Sequence, residues 1–213
     1  MNEWVFYDCA TAPSPRRARI VLAEKGVHYR TVQVDLRAGE QFGEAFRAIN
    51  PQCTVPVLCT PDAGALTDNA AIAAYAEARW PHPPLMGRDA PEKARVAHWH
   101  GRAEFEGLLG VAEALRNRSP AMANRALPGP VDYAQIPALA ERGAARAAHF
   151  FAELDLQLAQ HAHVAGDAFS LADITAVVAV DFARVAKLQP LATHAHLRRW
   201  REQLALRASI GSP

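Results

Sequence analysis

Apolar and polar residues at the start of the chain follow first the period of a strand and then that of a helix. Residues 4–7 are a short aromatic and β-branched run, which predicts a strand. Residues 16–25 are good helix formers and predict a helix. Ser14 stands where an N-cap belongs and Pro15 where the first helical residue belongs, with Gly26 just past the end. We therefore expect a strand followed by a helix that Ser14 caps.

The next elements complete a small sheet. Residues 28–34 carry Val32 and Val34 on one face, which predicts a second strand and hence a βαβ unit with parallel strands. The remaining predicted elements are a weak helix over 39–49, strands over 55–59 and 65–66, and a helix over 68–79. The order is therefore βαβ, a helix, two strands and a final helix.

The second half of the chain has few strand signals. The proline-dense residues 80–84 predict a linker. Beyond it, helices are predicted for about 25 residues from Pro91, over 137–161, from residue 170 and over 194–206, with a loop over 118–137 that contains four prolines. We expect an α/β domain over 1–81, followed by an all-α domain over 89–213.

Ser170 and Asp173 open the most apolar of these helices. Their spacing predicts a capping box, in which each side chain accepts a hydrogen bond from the other's backbone amide. The residues that follow are apolar almost all round. We therefore interpret both residues as structural and expect this helix to be the buried centre of the second domain.

Composition narrows the class of protein. The chain has 213 residues, half of them hydrophobic, and a net charge of +1. It has no basic excess for nucleic acid or for an anionic membrane, and no segment approaches the roughly 20 apolar residues of a membrane span. Three cysteines, Cys9, Cys53 and Cys59, are too few for a disulfide framework. We expect a cytoplasmic protein with no nucleic-acid or membrane partner.

Histidine pairs raise the question of a metal site. Three His-x-His pairs begin at His98, His161 and His194. Residues two apart on a helix point about 200° away from each other, so these pairs do not converge. No cysteine or carboxylate stands at a zinc-like spacing beside them, and the sequence has no glycine-rich phosphate loop. We expect no metal and no permanently bound cofactor.

Residues 54–69 carry the most informative chemistry. Pro56 follows Val55 at the entry to a predicted strand, and a cis bond between them would leave the backbone of Val55 facing outward, where an extended peptide can pair. The next helix N-terminus suits a carboxylate, and Asp68 suits an ammonium group. Together they suit a zwitterionic peptide end. Taken singly, Pro56 is explained as an edge-strand proline, and Asp68 or Asn69 as a helix cap; it is the combination that indicates binding.

Four segments resemble the glutathione S-transferase superfamily in its cytosolic, bacterial-like form, and the resemblance covers nearly the whole chain. The segments are 14–26 (SPRRARIVLAEKG), 50–58 (NPQCTVPVL), 66–75 (LTDNAAIAAY) and 164–174 (VAGDAFSLADI). The resemblance implies a thioredoxin-like N-terminal domain, an all-helical C-terminal domain and a homodimer. It also implies glutathione as a co-substrate.

The resemblance assigns the residues that would bind glutathione. The cysteinyl backbone would pair with Val55, beside Thr54 and a cis Pro56. The γ-glutamyl end would meet Asp68 and Asn69, where the family usually has Glu and Ser; a carboxylate still faces the ammonium group and a polar side chain still faces the carboxylate. The glycine end would lie near three further residues, Gln41, Gln52 and Cys53.

Thiol activation departs from the family pattern. A free thiol, with a pKa of about 8.5, is mostly protonated at neutral pH, so catalysis needs a donor to the thiolate. Several classes of the family have Ser or Cys at the position of Ala12, which cannot donate. Thr11 and Ser14 flank it, and Ser14 combines a hydroxyl with the helix dipole, while Cys9 is a candidate exchanging thiol. The alternatives are that Ser14 only caps its helix and that Cys9 is only buried.

Three functions follow from the resemblance. The first is conjugation of glutathione to a small hydrophobic electrophile, as in detoxification, with the electrophile between the domains. The second is a glutathione-dependent thiol-disulfide exchange, with Cys9 as the exchanging thiol, or an isomerisation. The third is a non-catalytic member that binds a ligand or a protein, which Ala12 favours.

Overall fold

The structure, a computed structural model, describes residues 3–211 and divides into two compact units. The first unit extends to Pro83 and also includes Leu127–Asp132, and the second comprises the rest of the described chain. The domain bounds of 1–81 and 89–213 stay predictions.

A four-stranded sheet is the centre of the first unit. Its strands are β1 (Val5–Asp8), β2 (Arg30–Gln33), β3 (Val57–Thr60) and β4 (Gly64–Leu66). They lie in the order β2-β1-β3-β4, with β1 parallel to β2 and β3 antiparallel to both of its neighbours. Tyr7 of β1 lies opposite Val32 on one side and Val57 on the other. The predicted βαβ unit and the hairpin after it are confirmed.

Three α-helices accompany this sheet. They are α1 (Pro13–Glu24), α2 (Glu44–Arg47) and α3 (Asn69–Arg79). The prediction of Ser14 as the N-cap of α1 is wrong, because the helix begins at Pro13 and its N-cap is Ala12. Both Pro13 and Pro15 fit a helical first turn, where a fixed φ and a missing N–H cost nothing. The Ser14 hydroxyl is engaged elsewhere, as an acceptor for Asn69.

The predicted helix over 39–49 is wrong in length. A 3-10 turn over Glu40–Phe42 comes first, and the four-residue α2 follows. Gly39, with a φ of 78°, precedes the 3-10 turn, and Gly43, with an extended backbone, separates it from α2. The two glycines therefore break one weak helical pattern into two single turns.

Hydrophobic side chains form a separate cluster on each face of the sheet. On one face, Phe6 and Leu58 pack with Leu22 of α1 and Ile72 of α3, and all four are fully buried. The cluster around Val57 on the other face consists of Val34, Phe46, Val55 and Val57. Because each fully buried side chain of this kind contributes about 1.5–3 kcal/mol, these clusters hold the helices on the sheet.

The second unit is helical, as predicted. Its helices are α4 (Ala90–Arg102), α5 (Leu109–Arg116), α6 (Pro137–Gln160), α7 (Leu171–Phe182), α8 (Pro190–Thr193), α9 (Ala195–Leu204) and α10 (Ala208–Gly211). A π-helical segment over Ala103–Leu108 joins α4 to α5, which the sequence pattern did not predict. Within residues 3–211, no helix is both long and apolar enough to cross a membrane.

Glycine allows α6 to lie close against the helix before it. A Cβ atom at Gly143 of α6 would lie 2.6 Å from the carbonyl oxygen of Gly110 in α5. In the π-helical segment, a Cβ atom at Gly107 would lie 2.8 Å from the ring of Phe150. A larger residue at either position would therefore push these helices apart.

α7 is the buried helix of the second unit. Every residue from Leu171 to Val180 is buried, and the capping box of Ser170 and Asp173 is present as predicted. The fully buried Asp173 also accepts hydrogen bonds from the Val164 N–H and from the Trp200 indole. Asp173 therefore joins the start of α7 to two other parts of the same unit.

Candidate functional site

The residues predicted for glutathione binding and catalysis all lie in the first unit. They occupy the loop between β1 and α1, the first turn of α1, the 3-10 turn after β2, the segment before β3 and the start of α3. In that order they are Cys9 and Thr11, Ser14, Gln41, residues 52–56, and Asp68 with Asn69.

A hydrogen bond joins the first turn of α1 to the first turn of α3. The Asn69 amide nitrogen donates to Ser14 Oγ over 2.8 Å. Because this oxygen accepts from Asn69, the hydroxyl proton of Ser14 can be donated to another acceptor. Two of the first four residues of α1 are prolines without an N–H, so Ser14 and Arg16 supply the amide donors of that turn. Two helix N-termini and one hydroxyl together favour a negative charge here.

Cys9 and Thr11 lie together in the loop after β1. Cys9 Sγ is 3.7 Å from Thr11 Oγ1, within hydrogen-bonding range for sulfur. The Ala12 N–H donates to the Cys9 carbonyl over 2.9 Å, which closes a turn. The Cys9 thiol is half-buried and packs against the cluster around Val57. The structure therefore brings two candidate catalytic residues into contact and leaves the cysteine partly accessible.

Asn50, which the sequence analysis did not assign to the site, organises the segment before β3. It is fully buried, and its amide nitrogen donates to the carbonyl oxygen and to Oγ1 of Thr54, at 2.8 and 3.1 Å. Its Oδ1 accepts from the Gln52 N–H at 3.0 Å. The signal in the sequence was the Asn-Pro pair, because asparagine side chains often bond to the backbone two residues further on.

The peptide-binding segment predicted around Val55 ends where β3 begins. The Val55–Pro56 bond is cis, as expected. Val55 precedes Val57, the first residue of β3, and lies outside the ladder that pairs β3 with β1. Cys53 has a φ of 55°, and its thiol donates to the Pro51 carbonyl over 3.5 Å. The Cys53 thiol is therefore engaged within its own loop.

Asp68 caps α3. Its Oδ1 accepts a hydrogen bond from the Ala71 N–H over 2.8 Å, so the capping role that the sequence left open is real. Asp68 is also exposed, which leaves its charge accessible. A carboxylate has lone pairs for several donors, so capping and binding of an ammonium group are compatible.

Two of the predicted residues contain buried acceptors that have no hydrogen-bond partner within residues 3–211. They are Asn69 Oδ1 and Gln41 Oε1. Most buried polar atoms in proteins do have a partner, so a donor brought to either atom would be favourable. Gln41 is only 2% exposed, whereas Gln52 is exposed. Of the two glutamines, Gln52 is the one that a ligand reaches without rearrangement.

Tyr29 and Cys59 of the first unit both have a raised pKa. Burial, followed by the negative charge of Asp8, raises the pKa of Tyr29, and the positive charge of Arg19 opposes the shift. Burial also raises the pKa of the Cys59 thiol. Because burial disfavours the thiolate, Cys59 is a poor nucleophile at neutral pH.

Histidines of the predicted pairs make internal contacts in the second unit. His100 Nδ1 lies 3.0 Å from Thr175 Oγ1, and His163 Nδ1 lies 3.3 Å from Asp173 Oδ1. Across residues 3–211, no group of three or more His, Cys, Asp or Glu side chains is arranged to hold a metal ion.

Comparison with known proteins gives two family models and a relative that matches nearly the whole of this chain. Residues 11–79 match the model described as glutathione S-transferase, N-terminal domain, and residues 123–208 match the one described as glutathione S-transferase, C-terminal domain. Glutathione S-transferase 2 from Saccharomyces cerevisiae is 33% identical over 212 residues, which is 98% of this chain and 88% of the yeast protein.

A solved structure and a partial relative complete the comparison. The crystal structure of a glutathione S-transferase domain-containing protein from Marinobacter aquaeolei is 34% identical, with a TM-score of 0.84, and the match covers 97% of this chain and 99% of that one. Maleylacetoacetate isomerase from Pseudomonas aeruginosa is 37% identical over 91 residues, 42% of this chain and 43% of the isomerase. The thioredoxin-like first unit and the helical second unit agree with these matches. The yeast relative, whose match covers 98% of this chain, favours an enzyme over a non-catalytic protein. The chain belongs to the glutathione S-transferase family and is a glutathione transferase.

Proposed function

We propose that this transferase conjugates the thiolate of glutathione to a small hydrophobic electrophile. The γ-glutamyl ammonium group binds Asp68, whose carboxylate is exposed, and the γ-glutamyl carboxylate lies at the start of α3 beside Asn69. The cysteinyl backbone extends along Val55, just before β3, and the glycine end lies by Gln52. Because the chain has a net charge of only +1, local charges such as Asp68, and not the overall charge of the protein, would bind the charged ends of glutathione.

The hydrogen bond between Asn69 and Ser14 carries this proposal. It places the hydroxyl that would face the sulfur next to the residue that would hold the γ-glutamyl end of the same ligand. Lowering a thiol pKa by about two units requires roughly 2.7 kcal/mol of preference for the thiolate. One hydrogen bond to a charged group contributes about 1.5–3 kcal/mol. A single donor from Ser14, with the dipole of α1 behind it, is therefore sufficient.

Ser14 is a better candidate donor than Thr11. The Thr11 hydroxyl lies 3.7 Å from Cys9 Sγ and has a neighbour within its own loop. The Ser14 hydroxyl already accepts from Asn69, so donation is the role left to its proton. We assign thiolate stabilisation to Ser14, with Thr11 as its matched comparison.

The test is an ultraviolet difference titration of bound glutathione against pH. We expect the thiol in the wild type to have a pKa about two units below the free value of about 8.5. Ser14→Ala should raise that pKa by about one unit or more and lower kcat with an aromatic halide as the electrophile. Thr11→Val, which removes a hydroxyl at nearly the same size, should leave both close to wild type.

The titration separates the possible outcomes. An unshifted thiol in the wild type contradicts the conjugation proposal. A lowered pKa that survives Ser14→Ala but not Thr11→Val gives the role to Thr11. A lowered pKa that survives both changes gives it to the helix amides.

A second candidate, glutathione-dependent isomerisation, is favoured by the partial match to the isomerase, which covers 91 residues. It requires the same thiolate, which adds to a double bond of the substrate and leaves again, so that glutathione is regenerated. Measuring thiol loss against product settles the choice. Conjugation consumes one thiol per product, whereas isomerisation consumes none.

Thiol-disulfide exchange remains the alternative for Cys9, the half-buried thiol of the β1–α1 loop. Exchange requires a mixed disulfide between Cys9 and glutathione, so mass spectrometry after incubation with glutathione disulfide detects it. Under our proposal Cys9→Ala keeps conjugation activity. Loss of all glutathione-dependent activity in Cys9→Ala would favour exchange instead.

We also infer a homodimer in a reducing, cytoplasmic location. All three cysteines are free in the structure, which agrees with a reducing compartment. Sedimentation equilibrium tests the dimer, and a purely monomeric protein at micromolar concentration contradicts it.

A further inference from the structure

Both backbone groups of Ala10, in the loop between β1 and α1, are held by side chains from outside the loop. Its N–H donates to Gln33 Oε1 over 3.1 Å. Its carbonyl oxygen accepts from Arg19 Nη2 over 3.2 Å. One partner comes from β2 and the other from α1, so the peptide groups of Ala10 are held from two directions.

Asp8 links these two partners. Its Oδ1 lies 2.5 Å from Arg19 Nη1, and its Oδ2 accepts from Gln33 Nε2 over 3.1 Å. Asp8 is only 3% exposed, and the Arg19 side chain is 16% exposed, so solvent screens their ion pair weakly. Asp8, Arg19, Gln33 and the backbone of Ala10 therefore form a closed ring of hydrogen bonds, which we call the Ala10 ring.

The Ala10 ring holds the part of the chain that leads into the thiol site. Ala10 lies between Cys9 and Thr11, and the next residue but one, Ala12, is the N-cap of α1. No side chain caps this end of α1. The hydrophobic cluster holds the body of α1 on the sheet, and the loop that the ring holds leads directly into the first turn of the helix.

We propose that Asp8, Arg19 and Gln33 are positioning residues for thiolate formation, acting through the backbone of Ala10. This inference rests on the proposed function. The position of a donor that stabilises a charge must be fixed to within about half an ångström. Ser14 lies only four residues after Ala10. Loosening the ring should misplace the Ser14 hydroxyl and the amides of α1 while leaving the Asp68 end of the site intact. Thiolate formation should then suffer more than glutathione binding.

Two substitutions open the ring in different ways. Arg19→Lys keeps the positive charge beside Asp8, but one ammonium group cannot reproduce the planar fork that reaches both Asp8 and the Ala10 carbonyl. Gln33→Met keeps the length of an exposed side chain and removes both of its hydrogen bonds. Since Gln33 is exposed, this second variant should fold even if Arg19→Lys does not.

The readout is the pKa of bound glutathione, with kcat and KM measured beside it. We expect each variant to raise the thiol pKa by about one unit and to lower kcat at pH 6.5 about fivefold. KM for glutathione should stay within about twofold, because the groups that bind the peptide ends are untouched. The loss in kcat should shrink above pH 8.5, where glutathione ionises without help.

Arg30→Lys is the matched control. Arg30 lies on the same strand as Gln33 and pairs with the exposed Glu3. The substitution therefore changes an arginine of β2 without altering a residue of the Ala10 ring. It should leave the thiol pKa unchanged.

Each result either supports or overturns the inference. If the wild type lowers the thiol pKa and both ring variants lower it equally, the inference is overturned and the proposed function stands. A pH-independent loss of activity in both variants also overturns it. If the wild type itself fails to lower the pKa, it is the proposed function that fails.

Discussion

The first turns of α1 and α7 meet the same requirement in opposite ways. Every helix begins with amide donors that its own residues cannot satisfy. At the start of α7, Ser170 and Asp173 satisfy them with a complete capping box in a buried position. At the start of α1, the N-cap is Ala12, which has no side-chain acceptor, and the Ser14 hydroxyl accepts from Asn69 of another helix.

This difference separates a structural helix end from a functional one. The polar groups at the start of α7 form hydrogen bonds within their own unit, so they stabilise the fold and leave few groups for a ligand. The α1 end has no side-chain cap of its own, and Ser14 accepts from Asn69 of another helix. Under the proposed function, its positive end faces the thiolate of glutathione. Changes at the α7 end should therefore alter stability and spare chemistry, and changes at the α1 end should have a smaller effect on stability.

The largest effect is expected at α7. Asp173→Ala removes the acceptor of the Val164 N–H, the Ser170 N–H and the Trp200 indole. Each buried donor left without a partner costs about 1–3 kcal/mol, so the free energy of unfolding should fall by about 3 kcal/mol or more. Urea unfolding measures the loss, and the thiol pKa of bound glutathione should be unchanged in the protein that folds.

Asp181→Ala is the control on the same helix. Asp181 forms a two-pronged ion pair with Arg201 at 2.7 and 2.9 Å, and both side chains are about one-fifth exposed. Its removal should cost only about 1 kcal/mol. If both variants lower the free energy of unfolding equally, the capping box contributes no more to stability than the ion pair.

At the start of α3, Asp68 should combine both kinds of role. Asp68→Asn keeps an oxygen that can accept from Ala71 but loses the charge, whereas Asp68→Ala loses both. Only the alanine variant should lose stability, by about 1 kcal/mol. Calorimetry should show glutathione affinity about tenfold lower in both, because the charged contact to the ammonium group is gone. Wild-type affinity in the asparagine variant would reduce Asp68 to a cap.

A side-chain cap at the start of α1 should give this helix end the stability of a capped end, as at α7. Ala12→Asp places an acceptor at the N-cap, where it can reach the Ser14 N–H, since Pro15 offers none. The free energy of unfolding should rise by about 0.5–1 kcal/mol. The added negative charge should raise the thiol pKa of bound glutathione, and Ala12→Ser, which adds a cap without charge, should not. A lowered thiol pKa in the aspartate variant would contradict a site built for an anion.

Local patterns in the sequence were enough to predict the architecture. Strand and helix periods, proline positions and the Ser170–Asp173 spacing are carried by residues close together in the chain, and the structure has these elements in the predicted order. The N-cap of α1 cannot be predicted in the same way, because Pro13 and Pro15 both suit a first turn. The contact between Asn69 and Ser14, 55 residues apart, has no local signature.

The missed features share this dependence on distant residues. Arg19 and Gln33 reach Ala10 from 9 and 23 residues away, and the pattern of β2 showed Gln33 only as a polar residue on a strand. The π-helical segment coincides with the close approach of Gly107 to Phe150, which depends on how α6 packs. Contacts of this kind form only once the elements are assembled.

The smallest effect is expected at the start of α4, which resembles the α7 capping box but is more exposed. Asp89 accepts from the Glu92 N–H over 2.8 Å, and Glu92 accepts from the Arg88 N–H over 3.0 Å. Hydrogen bonds from the Arg88 side chain, and then from its backbone N–H, lower the pKa of Glu92 from 4.5 to about 2. The ionised carboxylate is thus preferred in the folded state.

The pH dependence of that end follows from the lowered pKa. A carboxylate with a lower pKa in the folded than in the unfolded state stabilises fully above about pH 4.5, and this stabilisation is lost as the pH falls towards 2. Arg88→Ala removes the largest cause, so the Glu92 carboxyl should titrate nearer 4.5 by NMR. The unfolding midpoint at pH 7 should change little, because the Arg88 side chain is exposed. A wild-type Glu92 that already titrates near 4.5 would mean that an exposed box is not ordered in solution. Burial, and not the capping pattern itself, would then be what makes the α7 end strong.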